Sequence, residues 1–347
     1  MVSATSPPTS ACAHCSRATN RSCTGCKDSP VLRSGEVPVF YCSKPCQVSH
    51  WRIHKRTCKS LQALKLLYRT ADVLQEIFYI YREHVFDKNI AKIEQKDGKL
   101  YIHDKDLRAD VKTVQGETDR IVSFPHEMCN TDEDKKAVLV HLTCSDAIAW
   151  MHDLVKYLLT DITSDITEFT FTLHNHNREA VGVNILGKED PPQDHDVWIV
   201  TLRQTGARYI LDLTGAQFGY YQPVIPYEEF ELFRVKTYVR MGHPRSQYLY
   251  FGGLKDYYMY AIKNTKADLV VLIHSLNMQA SKALMWSVEK WEGSGGLEVK
   301  KMVELSLADF QSKKSDLLEV VDLGMTNQIE NMRVYVAAVK AAREKLN

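Results

Sequence analysis

Seven of the nine cysteines in this 347-residue chain lie between Cys12 and Cys58. With one histidine they fall into four close pairs: Cys12-x2-Cys15, Cys23-x2-Cys26, Cys42-x3-Cys46 and His54-x3-Cys58. Thiolates and imidazoles so spaced are the donors of structural zinc, which takes four N or S ligands in a tetrahedron and leaves no open position. Eight donors therefore make two closed sites, and the expected cofactor is two structural Zn2+ ions. One site has four cysteines, and the other has three cysteines and a histidine. His14 and His50 are rival nitrogen donors, but the H-x3-C spacing selects His54. This short stretch holds few large apolar side chains and cannot stabilise itself by burial. Metal must supply its folding energy, about 10–16 kcal/mol per site.

A second constellation lies further along. Cys144 begins the helical run Cys144-Ser145-Asp146-Ala147-Ile148-Ala149-Trp150, and the positive end of a helix favours thiolate. His195 opens a strand-like run, and Asp212 ends the next one, Tyr209-Ile210-Leu211-Asp212. Nucleophile, base and an acid to orient the base is the chemistry of a thiol hydrolase or acyl transferase. A tight turn near Gln204–Gly206, closing Arg203 onto Gly206, would pair Val197 with Asp212. His195 then becomes a diagonal neighbour of Asp212 on the same face. A slip of one residue would separate them. His174-x-His176 offers two more imidazoles and reads as a solvated strand end before an Asn177-Arg178 turn.

Composition frames both sites. The chain is 44% hydrophobic and 25% charged, ordinary values for a domain with a real core. No apolar stretch approaches the ~20 residues of a membrane helix. Residues 1–11 are Ser/Thr/Pro-rich, uncharged and unlike a signal peptide, and read as a disordered leader. Close cysteine pairs in such a chain point to metal in a reducing, intracellular compartment, cytoplasmic or nuclear. From Cys12 to Lys59 the formal charge is +7, from nine Lys/Arg and two Asp/Glu. Seven thiolates and two Zn2+ reduce it to about +4, which argues for a protein partner over nucleic acid.

The positioning elements follow from periodicity. Leu61, Leu64, Leu67, Ala71, Leu74, Phe78 and Tyr81 predict a helix over 60–86 that follows the cysteine-rich stretch without a break. Ile90–Glu94 and Lys99–His103 flank a Lys96-Asp97-Gly98 turn, a β-hairpin. Thr131–Lys136 is a loop or helix start, and 145–159 is a helix with Trp150, Met151, Leu154 and Leu158 in its stripe. Strands are expected over 168–173, 180–186, 197–202 and 208–213, with a charged loop over 188–196 containing Pro191-Pro192. Residues 224–239 are mixed, with a break at Pro226. The last third is mostly helical, most clearly over 325–346, where Ile329, Met332, Val336 and Val339 share a face. The aromatic run Tyr248–Tyr260 is expected to pack in the core.

The run Tyr41-Cys42-Ser43-Lys44-Pro45-Cys46-Gln47-Val48-Ser49-His50-Trp51-Arg52-Ile53-His54-Lys55-Arg56-Thr57-Cys58 resembles the second half of a MYND-type zinc finger, Y-C-x3-C-Q-x3-W-x2-H-K-x2-C, at every fixed position. The resemblance covers 12–58. It implies a cross-brace, with Cys12, Cys15, Cys42 and Cys46 on one zinc and Cys23, Cys26, His54 and Cys58 on the other. It also implies a protein partner, a short proline-containing peptide, bound at Ser43, Gln47 and Trp51. An exposed tryptophan is a flat platform for proline, and glutamine can bond a peptide backbone; packing of Trp51 into the finger's own core is the competing reading. No N-H-S-C motif of a SET-type methyltransferase follows. Over 143–219, C-S-D-A, H-x-V-W-x-V and Y-x-L-D-L-T-G are similar to a transglutaminase-like cysteine core, with Thr143 where that family often has glycine. That resemblance implies Cys144 as nucleophile, His195 as base and Asp212 as orienter. The expected architecture is a small zinc-stabilised finger, then an α+β domain over 60–347 with a transglutaminase-like core and a largely helical C-terminal part.

Overall fold

The computed structural model describes residues 10–32, 35, 37–106, 121–239, 250–264 and 268–344. The predicted leader lies outside these up to residue 9. Ser10 and Ala11 instead form a strand, β1 (Ser10–Ala11), because they pair with β2 (Ala18–Thr19) around the first cysteine pair.

The boundary expected between finger and domain falls inside one helix, α1 (Lys44–His84), of 41 residues. Ser43 caps it by accepting from Cys46 N at 3.3 Å, and Pro45 sits in the first turn, where its missing N–H costs nothing. No glycine interrupts it, so it runs on for about 60 Å. All seven residues of its predicted stripe are buried. The middle of the helix is fastened to the finger. Lys65 Nζ donates to the carbonyls of Gly25 and Lys27, and Ser29 Oγ donates to that of Leu61. Arg69 donates to the carbonyls of Val303 and Leu305 at 3.0 and 2.7 Å, tying this junction to the C-terminal helices.

The hairpin β3 (Ile90–Lys96) and β4 (Lys99–Asp104) forms as expected, and β6 (Ala180–Val183) joins it in parallel beside β4. β6 ends three residues early because Asn184 Oδ1 accepts from Leu186 N and Lys188 N and turns the chain. Residues 131–136 start a helix, α2 (Asp132–Val140), through a capping box between Thr131 and Asp134. The helix predicted over 145–159 is split into α3 (Cys144–Trp150) and α4 (His152–Leu159). Ser281 Oγ takes the Trp150 carbonyl at the break. The predicted stripe remains buried across it.

A five-stranded antiparallel sheet follows: β5 (Thr163–Leu173), β7 (Asp194–Leu202), β8 (Arg208–Leu211), β9 (Val224–Pro226) and β10 (Val235–Tyr238), in the order β10-β5-β7-β8-β9. Trp198, Val200 and Leu202 of β7 join the main core with α1, α3 and α4, while Val197 and Ile199 face Phe230 of α5 (Tyr227–Arg234). Both faces are thus covered, as alternation requires.

The C-terminal part is α6 (Gly253–Asn264), α7 (Asp268–Gly295), α8 (Val299–Met302) and α9 (Leu307–Glu344). Ile329 and Met332 are buried; Val336 and Val339 lie outside the described side chains. The aromatic run departs from expectation. Tyr248 is outside the described residues, and Tyr258 stacks on Trp150, but Tyr250, Tyr257 and Tyr260 are exposed. α6 packs on the core by one face only, so a run of tyrosines along it is divided between core and solvent.

Candidate zinc centres and thiol site

The finger brings its eight donors into two groups. Cys12, Cys15, Cys42 and Cys46 form one, and Cys23, Cys26, His54 and Cys58 the other, with donor atoms in each within 4.8 Å of one another. A tetrahedron with Zn–S near 2.3 Å has sulfur–sulfur edges of about 3.8 Å, and a sulfur–nitrogen edge of about 3.6 Å. The measured edges are 3.5 Å for Cys15–Cys42 and Cys42–Cys46, and 3.8 Å for Cys15–Cys46 and Cys23–Cys58. Cys26 Sγ stands 3.6 Å from His54 Nε2. The donor sets therefore fit zinc in size and in type. His50 belongs to neither group, because its Nδ1 is 3.0 Å from the Tyr41 hydroxyl.

Local chemistry holds these thiolates. Gln47 Nε2 donates to Cys23 Sγ at 3.4 Å and Gln62 Nε2 to Cys58 Sγ at 3.5 Å, offsetting the sulfur charge. The Cys23–Cys26 knuckle needs Gly25, where a Cβ would meet Gln62 Nε2 at 2.4 Å and Cys58 Sγ at 2.9 Å. Residues 12–58 match the MYND finger family. The module is thus a zinc-binding, protein-interaction finger with two structural Zn2+ sites. No curated protein and no solved structure matches the chain. Among the described residues, no helix is long and apolar enough to cross a membrane.

The three residues of the expected peptide surface have unequal freedom. Ser43 is engaged as the α1 cap, and Gln47 gives an N–H to Cys23. Trp51 is 38% exposed, touches His54 edge-on, and lies outside the finger's own apolar cluster of Tyr41, Leu61 and the cysteines.

Two residues of the second constellation, His195 and Asp212, meet. β7 and β8 pair Trp198 with Leu211, and Gly206 N closes onto Leu202 O at 2.8 Å, with Gly206 supplying the positive φ of the turn. That register sets Val197 opposite Asp212, and His195 Nε2 lies 2.9 Å from Asp212 Oδ2. Both are buried. Thr214 N and Thr214 Oγ1 donate to Asp212 Oδ1 at 2.9 and 3.2 Å and fix the carboxylate. Burial opposes charge on His195, but the Asp212 carboxylate and then Cys144 outweigh it and push its pKa up to about 10. Burial would raise Asp212, but the imidazolium beside it holds the carboxyl below its ordinary value. Asp212 occupies Nε2, and Nδ1, buried, has no hydrogen-bond partner among the described residues. It is the ring nitrogen left for the thiol.

Cys144 is half-buried at the head of α3, with Sγ 3.9 Å from Asp194 O and 4.0 Å from Asp196 Oδ2. Asp196 accepts from Ser145 Oγ and, at 2.6 Å, from Thr170 Oγ1. The thiol opens into a cavity of about 230 Å³ whose walls include Leu142, Gly182, Asp190, Pro192 and Gln217. A Cβ on Gly182 would strike Asp190 Oδ2 at 2.0 Å, so glycine lets the acidic loop lie against β6. In the same wall His141, held neutral by burial and by Lys88, takes the Lys88 ammonium at Nδ1. The sequence reading missed this wall entirely: β6, the 188–194 loop and Gln217 reach the thiol only through the fold.

His174 and His176 do not gather a metal cluster, and none is found there among the described residues. His176 stacks on Phe218 and its Nδ1 is 3.6 Å from Glu179.

Proposed function

We propose that the finger docks a short proline-containing segment of a partner protein. Exposed Trp51 carries this reading, because its indole stands outside the finger's own core, one helical turn from Gln47 on α1. Gln47 keeps its carbonyl oxygen as an acceptor for a peptide N–H, and Ser43 holds the helix start. Titration of the zinc-loaded chain with proline-containing peptides, read by tryptophan fluorescence, tests it. Trp51→Ala should abolish binding with zinc content unchanged, and retained affinity would refute the surface. Nine unbridged cysteines suit a reducing compartment, cytoplasmic or nuclear.

A second reading concerns the domain behind the finger and rests on the 2.9 Å contact of His195 with Asp212 beside Cys144. The domain would be a transglutaminase-like thiol hydrolase or acyl transferase. The Cys144 sulfur attacks a carbonyl carbon and forms a thioester. His195 holds the proton and passes it from Nδ1 to the departing amine or alcohol. Water or an amine then takes the acyl group and restores the thiol. Asp212 orients the ring, and the Cys144 backbone N–H is the available donor to the oxyanion. An activity-based thiol probe tests it: labelling of Cys144 should disappear in His195→Ala, and labelling insensitive to His195 would refute it.

A further inference from the structure

The turn that leads into Cys144 is unusual. Val140–Thr143 is a type II turn, with His141 at φ −61°, ψ 120°, Leu142 at φ +59° and Thr143 N donating to Val140 O at 3.3 Å. Such a turn needs positive φ at its third position, which glycine supplies without strain. Here a leucine, 45% exposed on the rim of the cavity, takes it. Strained backbone persists only where its surroundings hold it.

What holds it is Gln217. Its side chain is 3% exposed, its Oε1 accepts from Leu142 N at 3.1 Å, and its Nε2 donates to Thr214 O at 3.2 Å. Thr214 in turn donates to Asp212, which holds His195. The path from the nucleophile's turn through Gln217, Thr214 and Asp212 to the base is therefore continuous. We propose that Gln217 is a positioning residue: it locks the Leu142 turn and so sets the Cys144 sulfur against His195. The inference rests on the thiol-enzyme reading. It goes beyond it by making the distance between nucleophile and base depend on a residue that touches neither.

The test is the rate of Cys144 alkylation by iodoacetamide across pH, read by peptide mass spectrometry on the full zinc-loaded chain. Gln217→Ala should slow it about tenfold or more at neutral pH, since small misplacements of reacting groups are costly. Gln217→Met, which fills the same space without the amide, should do the same if the alanine variant is poorly folded. Leu142→Gly adopts the turn unaided, so adding it to Gln217→Ala should restore the rate seen with Leu142→Gly alone. A merely structural role would lower the melting temperature without changing the pH profile and would not be rescued. Wild-type labelling in Gln217→Ala and Gln217→Met, or no rescue by Leu142→Gly, overturns the proposal. If His195→Ala slows labelling while both Gln217 variants stay fast, the thiol reading stands and the positioning role alone falls. If the wild type is no faster than a free thiol and His195→Ala changes nothing, the reading fails and the proposal with it.

Discussion

In the finger, seven cysteines and His54 come from residues 12–58 and are held by the geometry of two metal tetrahedra. Around Cys144 a single thiol is held by residues scattered from Val140 to Gln217, through a strand register, a strained turn and buried hydrogen bonds. The first centre has almost no apolar core of its own, and the second sits on a large one that includes Trp150, Leu154 and Trp198. Sulfur saturated with metal is structural and unreactive. The Cys144 sulfur, outside both metal clusters and opening into a cavity, is the one proposed for chemistry.

The comparison breaks most easily at the metal. Stripping zinc with a chelator removes about 10–16 kcal/mol per site from the finger, which should unfold. The apolar domain should keep a cooperative transition of its own, since the second half of α1 is buried in it. Circular dichroism with zinc analysis checks this, and two ions per chain are expected at the start. A finger that survives chelation would contradict the account.

The next largest effect lies in the other centre. Asp212→Ala leaves the buried His195 charge unpaired, which costs about 3–5 kcal/mol. Urea denaturation at pH 7 measures it, and a loss below 1 kcal/mol would mean that the pair does not carry charge.

The same pair gives a pH signature that the finger lacks. His195 titrates ordinarily at 6.5 and is pushed to about 10 in the fold, so the folded chain holds its proton more tightly. Its contribution to stability is full below pH 6.5 and is lost as pH rises through 10. The stability difference between the wild type and His195→Gln should narrow across that window. A constant difference would contradict the assignment.

Smallest is Trp51→Ala, which should change stability by no more than about 0.5 kcal/mol because the indole lies outside the finger's apolar cluster. A larger loss would return Trp51 to the finger's own core.

How legible each centre was in the sequence follows the same division. Metal ligands come in local pairs, so Cys12-x2-Cys15 and His54-x3-Cys58 announce themselves, although spacing left the cross-brace open and only resemblance supplied it. The meeting of His195 with Asp212 was legible because one short turn at Gly206 sets the register. The wall of the thiol cavity was not, since β6 reaches it through a parallel pairing with β4 that no local pattern encodes. Gln217 was missed for the same reason. Its one signal is position, three residues after Thr214 in the turn that follows Asp212. The unbroken α1 was within reach: Ser43, Pro45 and a glycine-free run to His84 mark one helix.

One measurement addresses both centres together. Brief iodoacetamide treatment of the zinc-loaded chain at neutral pH, mapped by mass spectrometry, ranks all nine thiols. The account predicts that Cys144 is modified first. The seven finger cysteines should be protected by metal, and Cys129 should be slow because burial pushes its thiol up to about 11. Modification of the finger cysteines alongside or ahead of Cys144, or an inert Cys144, would contradict it.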